Sequence, residues 1–285
     1  MFRIFSRKHI IIISVSLCIL LLSGSLFNIA IPHISASGKV GVTVPVVMYH
    51  QVCSNPSVLG DYAITPEVLR NDFEYMKKHN IHPVSFSQLS KYVKFGEALP
   101  ENPIVLTFDD GERSFLTKAL PLLQEYNFPA NINIVGALVE LYTKNGETDD
   151  RYAYLNADDI KLLTNEPLVE IGYHSYNLHS LSNRRGMGRL YGETDKEYED
   201  LIYTDIEQFN KLFLSLTGSQ PVIAAYPFGI RNDKLLNLLQ SNNFSVTLTC
   251  RESPNTLTVG DDLFELGRFN RPYRISTKTF FESIF

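Results

Sequence analysis

Two acidic residues and two histidines stand where predicted strands end. Asp109 and Asp110 follow one apolar run, and His174 follows a later run with His179 five residues beyond it. Carboxylate oxygen and imidazole nitrogen are ligands that zinc and similar divalent metals accept. The set therefore predicts a metal site in which one carboxylate binds the ion and the other stays available as a base.

Each pair also has an ordinary structural interpretation. Asp109, Asp110 and Gly111 before a helix are typical of N-capping, and two histidines can lie separately in a core or on a surface. On a helix, His174 and His179 would point roughly 140° apart. The segment between them is rich in turn formers, so we expect a loop that lets them share a ligand. The two acids can share a site only if the chain turns at Gly111, since neighbouring strand residues face opposite ways.

Two further strand ends carry distinctive residues. His50 ends the apolar run 44–49, and the segment 227–229 (Pro-Phe-Gly) follows the run 222–226. Chemistry in parallel sheets gathers at the carboxyl ends of the strands. We therefore expect these segments on the same rim as the acids and the histidines.

Apolar runs of strand length alternate with helical patterns from residue 44 onward, and the longest helical pattern covers 195–217. This repetition predicts a parallel sheet, because parallel strands need crossover connections. The fold class is α/β, and about seven strands favour a (β/α) barrel, TIM-like but distorted or incomplete, over two domains. A doubly wound open sheet is the alternative.

The first 38 residues differ from the rest. A basic start precedes an apolar run over 10–31, and residues 9–38 contain no Asp, Glu, Lys or Arg. The pattern is typical of export, and the run is close to the roughly 20 residues that span a bilayer. We predict a cleaved signal peptide or a membrane anchor over 1–38, and one catalytic domain over 39–285 that is secreted or held at the cell surface.

Composition excludes other classes. The chain has 285 residues, 44% of them hydrophobic and 20% charged, with a formal net charge of −5, which argues against disorder and against nucleic acid as a partner. Residues 1–38 carry three of the positive charges, so the remainder is more acidic still. Three cysteines are too few for a disulfide scaffold. We expect Cys53 and Cys250 to be unrelated buried thiols, although pairing stays open.

Three ordered segments resemble a known family. Residues 107–111 (Thr-Phe-Asp-Asp-Gly) resemble the first signature of NodB-type polysaccharide deacetylases, carbohydrate esterase family four. Residues 174–179 resemble the second signature and 225–229 the third, and the resemblance covers about 44–285. Most members space the two histidines four apart. The spacing of five resembles the branch that deacetylates poly-β-1,6-N-acetylglucosamine.

The resemblance implies roles for individual residues. Asp110, His174 and His179 would be ligands to a divalent metal, with zinc expected and cobalt, nickel or iron as alternatives. Asp109 would be the general base, and the backbone N–H of Phe228 would help to hold the oxyanion. The implied reaction removes N-acetyl groups from N-acetylglucosamine residues of an extracellular polysaccharide and releases acetate.

Two departures from the family pattern leave roles to be filled. No histidine follows His179, so the early His50 is expected to be the acid that protonates the departing amine. The third signature often has an arginine where this chain has Ala225, and Arg268 is the candidate that would orient the base instead.

The expected substrate leaves alternatives open. The chain has no Trp, so stacking on sugar rings would fall to Tyr176, Tyr226 or Phe228. Peptidoglycan or chitin-like oligomers are alternative substrates. A catalytically weak relative that only binds glycans is an alternative function.

Overall fold

The computed structural model describes residues 33–34 and 40–285. The predicted signal peptide or anchor over 1–38 lies outside the described residues, apart from the two at 33–34. Within the described part of the chain, no helix is long and apolar enough to cross a bilayer.

The described residues contain fourteen strands, most of them short. In chain order they are β1 (His33–Ile34), β2 (Val40–Val44), β3 (Val46–Tyr49), β4 (Gln51–Val52), β5 (Ala63–Ile64), β6 (His82–Pro83), β7 (Pro103–Phe108), β8 (Ala130–Ile134), β9 (Val169–Tyr173), β10 (Ile223–Ala225), β11 (Val246–Leu248), β12 (Asn255–Leu257), β13 (Leu263–Leu266) and β14 (Phe269–Asn270).

Eight α-helices connect these strands within the same residues. They are α1 (Pro66–Lys78), α2 (Phe86–Phe95), α3 (Leu120–Tyr126), α4 (Gly136–Asn145), α5 (Ala157–Thr164), α6 (Asp195–Thr217), α7 (Asp233–Ser241) and α8 (Thr277–Ile284). A π-helical stretch over Phe115–Ala119 precedes α3, and one 3₁₀ turn covers Pro227–Gly229.

The main sheet is an open barrel. Its strands follow the order β13-β11-β10-β9-β8-β7-β3-β14, every pairing on this path is parallel, and short β6 adds to the edge of β7. The sheet curls through 268°, with β13 and β14 at its two ends. The predicted incomplete (β/α) barrel is confirmed, with eight strands on the path. From β3 to β13 the order never reverses, whereas a doubly wound sheet reverses at a switch point.

Helix ends follow the capping signals in the sequence. Thr65 caps α1 and Pro66 occupies its first turn, where a missing N–H costs nothing. The predicted helix over 195–217 is α6, which starts at a capping box of Thr194 and Glu197 and stops at left-handed Gly218.

Most of the side chains packed around the sheet are apolar. All six residues of β7 are buried, and helices such as α6 cover the sheet with one apolar face. The rigid strands end together at one rim, and that rim holds the polar residues named above.

Candidate active site

A cavity of about 650 Å³ opens at the carboxyl ends of the strands. Residues in β3 or shortly after β3, β7, β9 and β10 line its wall. The predicted site residues that line it are His50, Asp109, Asp110, His174, His179 and Phe228. The topology therefore brings together residues that are up to 178 positions apart in the chain.

Asp110, His174 and His179 form a compact ligand set. Their donor atoms lie within 4.8 Å of one another, and Asp110 Oδ1 is 3.3 Å from His174 Nε2 and 3.1 Å from His179 Nε2. His174 is buried, whereas Asp110 and His179 each keep about a fifth of their side-chain surface exposed. Two nitrogens and one oxygen on an open cavity match a catalytic zinc-type site, which keeps positions for water and substrate.

The tautomer of His174 supports this assignment. Its Nδ1 lies 2.8 Å from the carbonyl oxygen of Ala225. A carbonyl can only accept, so Nδ1 carries the proton, and Nε2, which faces Asp110, is the nitrogen that a metal ion would bind. Burial alone would raise the pKa of Asp110, but hydrogen bonds from both histidines outweigh it and hold the pKa well below its usual range.

Strained backbone surrounds these ligands. Asp110 (φ 72°), Ser175 (φ 75°) and Phe228 (φ 57°) are non-glycine residues in the left-handed region. Such conformations cost about 1–3 kcal/mol each and persist only where the surroundings impose them. Gly111 (φ 78°) continues the turn, and a Cβ there would lie 3.1 Å from Ile134. This turn frees Asp110 from strand alternation, so both acids face one cavity.

Asp109 is held as an anion. Arg268 donates two hydrogen bonds to it, from Nη1 to Oδ1 at 2.8 Å and from Nη2 to Oδ2 at 2.7 Å. Asn133 Nδ2 donates a third bond to Oδ1 at 2.8 Å. Burial would raise the pKa of Asp109, but the charges of Arg268 and His174 and the hydrogen bonds from Arg268 hold it well below its usual range. A carboxylate in this state is ionised near neutral pH, so its lone pairs are available to a donor in the cavity.

Arg268 is itself fixed from several sides. It is fully buried, and Nε donates to the carbonyl oxygen of Thr249 at 2.9 Å. The structure thus places Arg268 in contact with Asp109, the carboxylate that it was expected to orient. Sequence reasoning missed Asn133, although a second polar residue, Asn131, accompanies it in the otherwise apolar β8 and gives a detectable signal.

His50 also lines the cavity. Its Nδ1 is buried and has no hydrogen-bond partner among the described residues. Burial is the main reason that the pKa of His50 is lowered, and Asp109 and Asp110 oppose the shift. Its ring meets Tyr62 edge-on, with the centroids 4.9 Å apart.

The predicted aromatic wall needs correction. Phe228 lines the cavity, 39% exposed, with its ring centroid 4.6 Å from that of His179. Tyr226 is instead packed in the core at 1% exposure, and the hydroxyl of Tyr176 turns away to Glu140 at 2.7 Å. Neither tyrosine lines the cavity, because the ring of Tyr226 is packed in the core and the hydroxyl of Tyr176 is bonded to Glu140.

The aromatic side chain that sequence reasoning missed is Tyr62. It lines the cavity and is 64% exposed. It stands in the loop before β5, where no strand-end pattern marks it.

The two cysteines also differ from expectation. Both are free thiols, and Cys53 is buried as expected. Cys250 is exposed and lines the cavity, so the expectation of a buried thiol was wrong there. It follows the end of β11, one of the strands whose carboxyl ends form the rim.

Comparisons of the sequence place it among known proteins. The family model described as polysaccharide deacetylase matches residues 96–247. A poly-beta-1,6-N-acetyl-D-glucosamine N-deacetylase of Escherichia coli (strain K12) is 25% identical over 222 residues, which cover 71% of this chain and 33% of that protein. A protein of the same name from Staphylococcus aureus (strain MSSA476) is 23% identical over 223 residues, covering 74% of this chain and 73% of that one.

The chain therefore spans about a third of the length of the E. coli relative. Among solved structures, a de-N-acetylase from Aggregatibacter actinomycetemcomitans has a TM-score of 0.73 at 22% identity, covering 85% of this chain and 99% of that chain. IcaB from Ammonifex degensii has a TM-score of 0.67 at 22% identity, covering 80% and 91%. These likenesses show that the fold is shared.

Proposed function

Because this chain belongs to the polysaccharide deacetylase family, whose model matches more than half of it, we propose that it removes N-acetyl groups from N-acetylglucosamine residues of poly-β-1,6-N-acetylglucosamine in a metal-dependent hydrolysis. The observation that carries the proposal is the pairing of two features in one cavity. The ligand set of Asp110, His174 and His179 lies beside Asp109, a carboxylate that Arg268 keeps ionised.

The ligand set would hold one divalent metal, and zinc suits two imidazole nitrogens and a carboxylate oxygen. Cobalt, nickel and iron accept the same donors. When bound, such a metal acidifies water and polarises the acetamide carbonyl.

Asp109 has the position and charge of a general base. Its two oxygens accept from Arg268 and Asn133 and still have lone pairs for a proton from the attacking water. The bidentate contact with Arg268 fixes the plane of the carboxylate, which orients those lone pairs.

The backbone N–H of Phe228 is the donor proposed for the carbonyl oxygen as negative charge develops on it. Phe228 is in the first turn of a 3₁₀ segment, where no intrahelical carbonyl is available to its N–H. His50, which also lines the cavity, would then give a proton to the leaving nitrogen. The C–N bond breaks, the new C–O bond stays with acetate, and the sugar leaves as the amine.

The choice of polysaccharide draws on three observations. The curated relatives from E. coli and S. aureus carry the poly-β-1,6-N-acetyl-D-glucosamine name, and the spacing of His174 and His179 matches the corresponding branch. The cavity presents Tyr62 and Phe228 as exposed rings, which suit the apolar faces of sugars. Peptidoglycan and chitin-like oligomers remain the competing substrates.

A panel of defined oligomers tests the proposal. Acetate release is measured on N-acetylglucosamine oligomers with β-1,6 and with β-1,4 linkages, with zinc, cobalt or nickel present. We expect release from the β-1,6 series, with the β-1,4 series slower. Faster release from the β-1,4 series would contradict the linkage, and binding without release from any oligomer would favour a glycan-binding relative.

Export is part of the proposal. The basic and apolar pattern of residues 1–38 supports a leader or anchor, and the catalytic domain over 39–285 would then act on polysaccharide outside the cell. Sequencing the N-terminus of the protein purified from membrane and culture fractions separates cleavage from anchoring. An intact N-terminus in the cytoplasm would contradict export.

A further inference from the structure

The loop between the two histidines is held from outside by one carboxylate. Asp205 lies on α6 and is only 4% exposed. Its Oδ1 accepts from the hydroxyl of Tyr173 and from the backbone N–H of Tyr176, each at 2.6 Å, and its Oδ2 accepts from the N–H of Asn177 at 2.8 Å. Asp205 therefore accepts hydrogen bonds from residues on both sides of His174.

The opposite side of the same loop is also fixed. At the start of α4, the N–H of Gly136 donates to the carbonyl oxygen of Ser175 at 3.1 Å, and the N–H of Ala137 donates to that of Tyr176 at 2.7 Å. The loop is thus bonded through its carbonyls to α4 and through its amides to Asp205. Between these bonds Ser175 keeps its left-handed backbone.

The partners of Asp205 set it apart from other buried carboxylates. Among the described residues, no lysine or arginine pairs with it, whereas Asp72 pairs with Arg271 and Asp159 with Arg113. A buried charge without a counter-ion is costly unless hydrogen bonds satisfy it. Here the hydroxyl of Tyr173 and the backbone amides of Tyr176 and Asn177 supply these hydrogen bonds. The free-energy cost of burying Asp205 is therefore offset by bonds that depend on the conformation of the loop between the two histidines.

We infer that Asp205 is a positioning residue that sets the separation and orientation of His174 and His179 for metal binding. The inference rests on the proposed function only in taking these histidines as ligands. A five-residue spacing leaves four residues between them, and the carboxylate fixes the amides of two of these, Tyr176 and Asn177. Partners that orient metal ligands commonly change affinity by about 10- to 100-fold when removed.

The test measures metal affinity rather than activity. Zinc or cobalt affinity of the stripped full chain is determined by competition with a chelating dye, for wild type and for Asp205→Asn. The amide has a single acceptor oxygen, so it cannot receive all three donors. We expect a loss of about 10- to 100-fold, together with a changed visible spectrum of the cobalt form.

Asp159→Asn is the matched control. Asp159 is equally buried and also lies on a helix, but its partners are Arg113 and the start of α5. We expect it to lower stability and to leave metal affinity within about twofold of wild type. An equal loss of affinity in both variants would overturn the inference, because general destabilisation would then explain it.

A second measurement needs no substitution. If metal binds the conformation in which Asp205 accepts from the amides of Tyr176 and Asn177, metal must slow hydrogen exchange at these two amides in the wild-type chain. Unchanged exchange on metal binding, or wild-type affinity and cobalt spectrum in a folded Asp205→Asn, would overturn the role of Asp205 alone. Failure of the wild-type chain to take up any metal would instead overturn the proposed function.

Discussion

Two buried arginine–aspartate pairs are anchored three residues apart on the C-terminal segment. Arg268 binds Asp109 at 2.7 and 2.8 Å, and Arg271 binds Asp72 at 2.8 and 2.9 Å. All four side chains are at most 3% exposed. By contact geometry and burial alone, the two pairs are nearly the same.

Their surroundings differ. Asp72 also accepts from the hydroxyls of Tyr49 and Thr277, and Arg271 lies 5.0 Å from the ring centre of Phe280. This pair ties α1 to the segment that enters α8, and burial raises the pKa of Asp72 despite its donors. Asp109 lines the cavity, and its pKa is held well below the usual range.

The comparison shows that a buried ion pair does not by itself mark a catalytic site. In a pair that is closed to solvent, such as Arg271–Asp72, neighbouring side chains and backbone groups occupy the hydrogen-bonding groups. The Arg268–Asp109 pair keeps acceptor capacity facing a cavity that also holds histidines. Substitutions at Asp109 and its neighbours should therefore change turnover, whereas one at Asp72 should change stability alone.

Asp109→Asn has the largest expected effect. The amide cannot take a proton from water, so kcat for acetate release should fall by about 10³- to 10⁴-fold. Metal content, measured by elemental analysis of the same sample, should stay at the wild-type level because Asp110 supplies the ligand. A variant that loses its metal would show that the division of roles between the two acids is wrong.

His50→Ala comes next. Loss of the proton donor should lower kcat by about 10²-fold while metal content stays unchanged. His50→Gln, which keeps size and polarity but cannot deliver a proton, is the matched variant and should be equally slow. Normal turnover in either variant would remove His50 as the acid.

Arg268→Lys should have a smaller effect on rate but a visible one on pH dependence. Lysine cannot reproduce the bidentate contact, so kcat should fall by about tenfold. Arg268 lowers the pKa of Asp109, and the base is active when deprotonated, so weakening that contact must move the acidic limb of the kcat/KM profile to higher pH. An unmoved limb would mean that Arg268 does not tune the base.

Asp72→Asn should have no effect on turnover per folded molecule. It leaves Arg271 buried without a counter-charge, which should reduce the free energy of unfolding by about 3–5 kcal/mol. Urea unfolding measures the loss, and active-site metal content normalises the rate. A fall in kcat without a loss of stability would contradict the contrast between the two pairs.

Much of the site could be predicted because it depends on strand ends. Apolar runs locate the strands, the βα alternation makes them parallel, and parallel strands bring residues as distant as His50 and His174 to one rim. Arg268 could be predicted as the cation near a late strand that replaces the arginine missing at Ala225.

The remainder depends on contacts and backbone turns that no local pattern encodes. Asp205 and Asp72 act across 23 to 205 positions, and nothing in their helical segments distinguishes them from other acids. Tyr176 was misplaced because the left-handed conformation of the preceding residue decides where the loop faces. Tyr62 lies in a loop before a two-residue strand, outside any periodic segment.

The proposed hydrolysis of N-acetylglucosamine units depends on one metal held by Asp110, His174 and His179. Its most direct test is to strip the chain with a chelator and titrate zinc, cobalt or nickel back while following acetate release from acetylated glucosamine oligomers. We expect a rate near zero after stripping and a rise that saturates at one ion per chain. Full activity in the stripped chain, or no recovery with any of these metals, would contradict it.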